Sequence, residues 1–400
     1  MNAEQRKKIL ILMINMFIAI GSFGIIIPIL PAYLESINQG GTAAGLMIAL
    51  FAGAQLIFSP IAGKWADQYG RRKMIIYGLI GLTLSMFVFY GFDSIWWLYT
   101  SRIIGGIGAA LLIPAIFAYI ADITTLDQRA KGNSLVSASM SLGIVIGPGV
   151  GGFLADFGLK IPLLISALVS LVAVLFSVFI LKESKTSEIK DFSADEESMA
   201  RKMIRSVKMP YFIPLIITLV MSFGLMAFES VLGLFVDNQF GATPQQIAMM
   251  VTSTGIVSVI VQLFVVDRIV SLYGEGVVLN IFLGVAAIGF LLSLFASSYA
   301  LFFGITLLNF LATSILRPVL NTLISKMAGN EQGFAMGMNN AYMSIGNVLG
   351  PTLAGMLYDV NIIYPFMMGL FFLVLTMLVT IAWQRRLAQK NNKLVNHRGA

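Results

Sequence analysis

The 400-residue sequence contains no cysteine and a single histidine, His397. Without thiols the chain has no disulfides, no thiolate nucleophile and no thiolate metal site. One histidine in a polar tail also argues against a histidine-rich metal centre. Charged residues are scarce as well: they make up 11% of the chain, whereas a soluble domain carries about 25%. This composition argues against a water-soluble fold.

Hydrophobic residues are abundant, at 58% of the chain. They recur in runs of the length that a bilayer requires, about 20 residues. The first run, 9–34, follows three basic residues but is longer than the apolar region of a secretory signal, about 7 to 15 residues. It is therefore predicted to be a retained helix. The chain is predicted to be an all-α polytopic membrane protein with twelve transmembrane helices, over 9–34, 43–62, 74–92, 96–121, 134–155, 161–181, 211–235, 246–266, 277–297, 300–325, 335–357 and 362–383.

The only long polar stretch, 182–210, divides the predicted helices into six and six. An internal repeat supports this division, because seven residues recur with a constant displacement of 203. The repeated residues are Ser141, Gly143, Gly147, Pro148, Gly152, Asp156 and Pro162. The alternative is that glycine and proline are simply common in membrane helices. Parallel six-helix repeats are typical of one large transporter architecture, with the substrate site between its halves. The predicted organisation is an N-terminal bundle over 1–181, a cytoplasmic linker over 182–210, a C-terminal bundle over 211–384 and a cytoplasmic tail over 385–400.

The positive charges predict the orientation of the chain in the membrane. With the N-terminus inside, the inner segments hold 23 of the 26 lysines and arginines, and short cytoplasmic loops retain such charges. Both termini and the linker are therefore predicted to be cytoplasmic. The net charge of +7 falls on helix flanks rather than on a soluble basic domain, so nucleic acid is not an expected partner.

Three ionisable residues fall inside predicted spans: Arg102, Glu229 and Arg317. A charge at mid-bilayer costs at least about 2.5 to 3.5 kcal/mol and rarely persists without a partner or a task. Burial disfavours an ionised carboxyl, so Glu229 could alternate between its protonated and charged forms. Glu229 is therefore the candidate proton carrier and the candidate binder of a cationic substrate. The alternative is a structural salt bridge to one of the arginines.

The segment between the second and third spans contains Gly63, Asp67, Gly70, Arg71 and Arg72. It resembles the loop signature of the major facilitator superfamily. The glycines permit a tight turn, and the acid among the cations can form a charge-assisted cluster that closes the cytoplasmic side. A turn with ordinary inner-side cations is the alternative, but it leaves the acid and both glycines unexplained.

The fifth span carries a run of small residues that resembles the motif of antiporters in this superfamily. Small residues at four-residue spacing let two helix backbones approach closely, and an internal proline lets the helix bend. A simple helix-packing face is the alternative interpretation. The residues of this run are Gly143, Gly147, Pro148, Gly151 and Gly152.

The segments 223–229, 316–318, 333–339 and 346–351, together with 102–106, are similar to Gram-positive multidrug exporters of the NorA, Bmr and Blt type. This resemblance implies that Glu229 is the chief proton and substrate residue. Close relatives carry a second carboxylate at the position of Ser314, which leaves the proton stoichiometry open. Phe51, one turn before Gln55, is assigned to the lining because flat aromatic surfaces suit unlike ligands. The resemblance also implies roles for Arg102 and Arg317 and a polar lining from Gln55, Asn339 and Asn347.

The expected function is drug:proton antiport by alternating access, with export of amphipathic, often cationic compounds. The expected partners are these small molecules, protons and the lipid bilayer, and the expected state is a monomer. No phosphate-binding glycine loop is present and no cofactor is expected. The sequence contains no cluster of acid, base and nucleophile residues of the kind that an enzyme would need. A proton-coupled transporter of a metabolite such as a sugar is the alternative, although it would call for more buried hydrogen-bonding groups.

Overall fold

The computed structural model describes residues 3–184, 199–329 and 331–398. Helices account for the regular structure of these residues, and twelve of the helices have 20 residues or more. The first half contains α1 (Ala3–Gly24), α2 (Leu30–Ser36), α3 (Gly41–Tyr69), α4 (Arg71–Gly91), α5 (Ile95–Ile123), α6 (Leu126–Leu154) and α7 (Ile161–Ile180). The second half contains α8 (Met199–Ser206), α9 (Phe212–Phe240), α10 (Pro244–Phe264), α11 (Val266–Ser293), α12 (Tyr299–Ala328), α13 (Gln332–Val360) and α14 (Tyr364–Arg398).

Eleven helices among the described residues are long and apolar enough to cross a membrane. The remaining long helix, α13, has 29 residues and includes Asn339, Asn340 and Asn347. The predicted all-α, twelve-helix fold is confirmed. Part of the predicted linker, 185–198, lies outside the described residues, and so does the side chain of His397.

The first predicted span, 9–34, is wrong as a single helix, because the helix breaks after Gly24 and α2 begins at Leu30. Pro28 lacks an amide hydrogen, and a proline disfavours the helical conformation of the residue before it. Pro31 is tolerated because it lies in the first turn of α2. Turn hydrogen bonds, such as Ile27 N–H to the Gly24 carbonyl at 3.1 Å, keep the interrupted backbone paired.

At two places a single glycine, rather than a loop, changes the direction of the helical chain. Gly70 has φ of 102° and joins α3 to α4, so helix occupies most of the segment that was predicted as a loop. Gly274 has φ of 75° and interrupts α11, which begins eleven residues before the predicted span. A residue with a Cβ is strained at such φ values, whereas glycine is not.

The described helices fall into two compact units. The first comprises residues 1–194 and 230–255, and the second comprises 195–229 and 256–400. The first unit has one apolar core around Leu12, Ile75 and Tyr119 and another around Ile29 and Phe89. The second unit has a core of Tyr211, Leu215, Ile324, Ala335, Met338 and Tyr342, with neighbouring residues.

The internal repeat of the sequence corresponds to a repeated helix crossing. In the first unit, a Cβ added at Gly143 of α6 would lie 2.9 Å from the Phe17 carbonyl oxygen of α1. In the second unit, a Cβ added at Gly346 of α13 would lie 2.5 Å from the Leu219 carbonyl oxygen of α9. Each glycine therefore lets two backbones pack closely, as small residues do in membrane helix pairs.

This geometry predicts that Gly143→Ala and Gly346→Ala each destabilise the protein. The added methyl would press on a backbone atom that cannot rotate away, and such overpacking costs about 1 to 3 kcal/mol. Gly304→Ala of α12 is the matched control, because its Cβ would meet no atom within 4 Å and alanine favours helix more than glycine does. Thermal unfolding in detergent should show a lower midpoint for the first two variants only. Equal midpoints for all three would contradict the packing argument.

Candidate functional site

Arg71 is the centre of the charged cluster where α3 meets α4. Its guanidinium contacts the Asp67 carboxylate at 2.5 Å and the Asp122 carboxylate, at the end of α5, at 3.3 Å. It also donates to the Ala66 carbonyl at 2.5 Å. The predicted acid and cation are therefore paired, and charge-assisted hydrogen bonds of this kind are among the stronger ones.

A third acid, Glu183, completes this cluster just after α7. It accepts a hydrogen bond from the Arg72 backbone N–H at 3.1 Å, while the Arg72 guanidinium donates to the Val178 carbonyl at 2.6 Å. The Ser184 hydroxyl donates to Asp122 at 2.8 Å. Sequence reasoning missed Asp122 and Glu183, although both are acids at the inner ends of predicted spans. Gly63 has open space beside it.

The small residues of α6 face two different helices of the first unit. A Cβ at Gly147 would lie 2.7 Å from the Gly21 carbonyl oxygen of α1, and Gly151 similarly abuts the Ile25 carbonyl. The Pro148 ring lies against Gly24, 2.9 Å from the position of a Cβ there. Gly152 instead faces α10, where a Cβ would lie 2.9 Å from the Pro244 carbonyl oxygen. The run therefore supports two close helix contacts at once.

The contact between α6 and α10 continues in both directions from Gly152. Val145 lies 2.9 Å from the position of a Cβ at Gly255, and the Thr252 hydroxyl lies 3.2 Å from that of Gly149. Beyond the end of α6, Gln245 donates a hydrogen bond to the Asp156 carboxylate. The first unit thus joins 230–255 to α6 through small residues and the hydrogen bond between Gln245 and Asp156.

Arg102 of α5 is buried, with 3% of its surface exposed. Its guanidinium donates to the hydroxyls of Ser101 at 3.3 Å and Ser85 at 3.4 Å. It also lies over the Phe89 ring, 4.8 Å from the ring centroid. Within the described residues no ion pair involves Arg102. A cation with neutral oxygen and aromatic partners is a favourable place for an anionic or electron-rich group.

Phe51 and Gln55 lie one turn apart on α3 of the same unit, and both are partly exposed. The Phe51 ring packs on Phe23 of α1 with centroids 4.9 Å apart. Gly106 of α5 abuts the Phe51 backbone, because a Cβ there would lie 3.1 Å from the Phe51 carbonyl carbon. The Gln55 carbonyl accepts from Ser59 at 2.6 Å. The first unit therefore places Phe51 beside Gly106, which follows Arg102 by four residues on α5.

Glu229 and Arg317 lie in the second unit, on α9 and α12. Glu229 is partly exposed, and it interacts electrostatically with Arg317 without an ion pair between described residues. The Arg317 guanidinium instead lies 2.8 Å from the Met343 sulfur of α13. The Phe228 ring, next to Glu229, contacts Phe290 at 5.1 Å, Phe366 at 5.6 Å and Phe310 at 6.2 Å between centroids. This aromatic cluster fixes the helix position that carries Glu229.

Polar groups of the second unit hold the remaining predicted residues. The Ser314 hydroxyl lies 2.7 Å from the Ser258 hydroxyl of α10. The Asn339 side chain accepts from Thr218 at 2.9 Å and donates to Asn321 at 2.8 Å. Asn347 is partly exposed. Sequence reasoning missed Ser258, Thr218 and Asn321, because single hydroxyls and amides in apolar runs give no pattern.

Comparison with known proteins shows similarity over nearly the whole chain. The sequence profile of the Major Facilitator Superfamily matches residues 12–238 and 214–399. Multidrug resistance protein 2 of Bacillus subtilis is 41% identical over 386 residues, covering 96% of both chains. Quinolone resistance protein NorA of Staphylococcus aureus is 33% identical over 364 residues, 91% of this chain and 93% of that protein. The crystal structure of the human organic anion transporter MFSD10 (TETRAN) has a TM-score of 0.66 at 19% identity, covering 95% of this chain and 100% of that chain. The resemblance seen in the sequence is confirmed.

Gly70 gives a test of the charged cluster that depends on no activity. A Cβ at Gly70 would be strained at its φ of 102° and would meet the Glu183 carboxylate. Gly70→Ala is therefore expected to lower the unfolding midpoint in detergent, with a backbone penalty of about 1 to 2 kcal/mol plus the displacement of Glu183.

The double variant Gly70→Ala, Glu183→Ala separates these two contributions. It should be less destabilised than the sum of the two single variants, because the steric conflict is absent and only the backbone strain remains. Strictly additive effects would show that the Gly70 backbone and the Glu183 side chain are not in contact.

Proposed function

This chain belongs to the Major Facilitator Superfamily, and on that premise we propose that it exports amphipathic, often cationic drugs and dyes across the cell membrane in exchange for protons. The observation that carries the proposal is the place of Glu229: an acid within a membrane helix, next to an aromatic cluster, in a chain 41% identical to a multidrug resistance protein. An intramembrane acid marks an ion or substrate pathway by default.

Glu229 is the residue that we propose to exchange a proton for the drug. Its described neighbourhood supports this role, because Arg317 attracts it without holding it in a direct ion pair. A cation in direct contact stabilises the charged form of a carboxylate, whereas a carboxylate at a distance from the cation is more easily reprotonated. A single carboxylate that binds either a proton or a cationic drug enforces exchange between them.

The other lining residues are proposed because of their exposure and their hydrogen-bond partners. Phe51, Gln55 and Asn347 are partly exposed and can meet a ligand. Among the residues that the structure describes, the partners of Arg102 are neutral, so we propose that it takes an anionic or hydrogen-bonding group of the ligand. Asn339 is already bonded to two side chains, so its role would be to orient the lining of the second unit. Arg317 and Ser314 complete the proposed set.

Alternating access would move two six-helix halves, 1–181 and 211–384, joined by the linker 182–210 and followed by the tail 385–400. The charged cluster of Asp67, Arg71, Arg72 and the two glycines would close the cytoplasmic side. The small residues of α6 would close the other side through their contact with α10. We propose that both termini are cytoplasmic, since the inner segments carry 23 of the 26 cations, and that the transporter works as a monomer.

The first functional prediction is that Glu229→Gln reduces proton-driven uptake of ethidium into everted vesicles, which corresponds to export from the cell, to the background of vesicles without the protein. The amide keeps the shape of the side chain and removes its titration. Asp267→Asn is the matched control, because it removes an exposed acid at the start of α11 and should transport normally. Equal expression and unfolding midpoints must be verified. Efflux by Glu229→Gln at the wild-type rate would refute the assignment.

Ser314 limits the number of protons that can be exchanged for each drug molecule, because a serine hydroxyl does not titrate in the physiological range. In the structure it is hydrogen-bonded to the Ser258 hydroxyl. The acid Asp93, at the outer end of α4, is a poor substitute. Its ion pair with Lys160, at 2.6 Å, holds the pKa of this carboxyl below its ordinary value. We propose Glu229 as the single carrier, with one proton entering for each drug molecule that leaves.

The second functional prediction is that ethidium export depends on the pH gradient and not on the membrane potential. Exchange of one proton for a monovalent cation moves no net charge, so the potential, worth about 2.3 kcal/mol per charge per 100 mV, contributes nothing. Export should survive valinomycin with potassium and fail with nigericin. Ser314→Asp, which adds a second acid, should make export respond to valinomycin. Strong dependence of wild-type export on potential would rule out the single-carboxylate mechanism.

A further inference from the structure

The glycine turn within α11 has a counterpart in the first half of the chain. Both glycines have positive φ, 102° in the first half and 75° in the second. Three pairs of identical residues share a displacement of 204, namely Gly70 and Gly274, Ser94 and Ser298, and Pro114 and Pro318. The displacement becomes 203 in the repeat of α6 and α13, since the second half is one residue shorter between these two stretches. The two glycine turns therefore occupy equivalent positions of the two halves.

An ion pair follows each of these glycines, but the charges are exchanged. In the first unit, Arg71 at the start of α4 contacts Asp122 near the end of α5 at 3.3 Å. In the second unit, Glu275 pairs with Lys326 near the end of α12. Both positions are related by the same displacement of 204. The second unit therefore carries a pair at the same place as the first, with the carboxylate and the cation interchanged.

Each half also ties the next residue to the last helix of its own bundle. In the first unit the Arg72 guanidinium donates to the Val178 carbonyl of α7 at 2.6 Å. In the second unit the Gln384 amide of α14 donates to the Gly276 carbonyl at 3.0 Å, and its oxygen accepts from Asn280 at 2.6 Å. The helix that follows each glycine is thus fixed to two neighbouring helices.

The helix dipoles act on the two pairs in opposite ways. The first turn of a helix carries partial positive charge and the last turn carries partial negative charge. Arg71 begins α4 and Asp122 lies in the last turn of α5, so both charges oppose the local dipole. Glu275 begins the helical stretch after Gly274, and Lys326 lies in the last turn of α12. The dipoles therefore weaken the first pair and stabilise the second.

The number of partners differs between the two pairs as well. The Arg71 guanidinium also contacts Asp67 at 2.5 Å, so it keeps a carboxylate partner when its contact with Asp122 is lost. Among the residues that the structure describes, Glu275 is the one carboxylate paired with Lys326. The first pair is thus built to exchange partners, and the second is built to remain closed.

We propose that Glu275 and Lys326 are positioning residues of transport, which stay paired in every conformation and hold the direction of α11 at Gly274, while the pair of Arg71 and Asp122 opens and closes. This inference rests on the proposed function, because alternating access supplies the conformations. Neither Glu275 nor Lys326 is assigned to the substrate site. They act through the direction of α11.

The absence of cysteine permits a cross-linking test at chosen positions. Glu275→Cys with Lys326→Cys, and Arg71→Cys with Asp122→Cys, are each bridged in the full-length protein by a short bifunctional methanethiosulfonate. Ethidium uptake into everted vesicles is measured before bridging, after bridging and after reduction. Before bridging, the loss of the Glu275 pair should lower the maximal rate by up to about fivefold, the factor expected for a partly exposed ion pair, without a change in KM.

The two bridges should have opposite effects. A bridge between positions 275 and 326 replaces the ion pair and should restore the rate toward that of the wild type. A bridge between positions 71 and 122 should abolish uptake until it is reduced. A reversible block of uptake by the first bridge would show that the Glu275 pair must open, and would overturn the proposal. A wild-type rate before bridging would show that the pair positions nothing.

Unfolding in detergent tests the pair without any transport. Glu275→Gln and Lys326→Gln should each lower the unfolding midpoint, and the double variant should lower it no further, because either change removes the same contact. Lys208→Gln, at an exposed lysine of the second unit, is the matched control and should leave the midpoint unchanged. Additive losses in the double variant would contradict the pairing.

Reversal of the pair isolates the effect of the dipoles. Glu275→Lys with Lys326→Glu keeps the contact but places both charges against the helix dipoles, so it should recover only part of the lost midpoint. Complete recovery would contradict the argument from the dipoles. Wild-type vesicles that take up no ethidium would refute the proposed function, whereas these unfolding midpoints would still decide whether the pair holds α11.

Discussion

A backbone inside a hydrocarbon layer must pair its own polar groups, since no water is available to do so. This requirement determines the architecture, because it leaves helices as the means by which a chain rich in apolar runs can cross the bilayer repeatedly. It also explains how the interruptions are built. The break after Gly24 is spanned by turn hydrogen bonds, and single glycines with positive φ change direction at residues 70 and 274 without a loop.

The number and position of the helices could be predicted because each apolar run has the length of a membrane span. The interruption within 9–34 could not be placed, since hydropathy is insensitive to Pro28 and Pro31 while backbone geometry is not. The start of α6 at Leu126, before the predicted span of 134–155, could not be predicted for a different reason. Polar helical turns outside the bilayer have no apolar pattern to reveal them.

The candidate site was predictable where a residue breaks a compositional rule. Arg102, Glu229 and Arg317 stand out because charges are rare in apolar runs, and Asp67 stands out among cations. Partners contributed by distant segments were not predictable: Asp122 and Glu183 reach Arg71 and Arg72 only through the packing of α5 and α7. The pair of Ser258 and Ser314 likewise depends on how α10 meets α12. Spacing within one helix carries no information about such contacts.

The contact of α6 with α1 and α10 has a mechanical consequence. Most helix pairs interlock, because side chains of one fill the gaps between side chains of the other. At Gly147 and Gly152 the surface of α6 is nearly bare backbone, so few side chains must change rotamer when the neighbouring helix shifts along it. Such a surface combines tight contact with a low barrier to sliding. A larger side chain at either position would interlock with the neighbouring helix and raise that barrier.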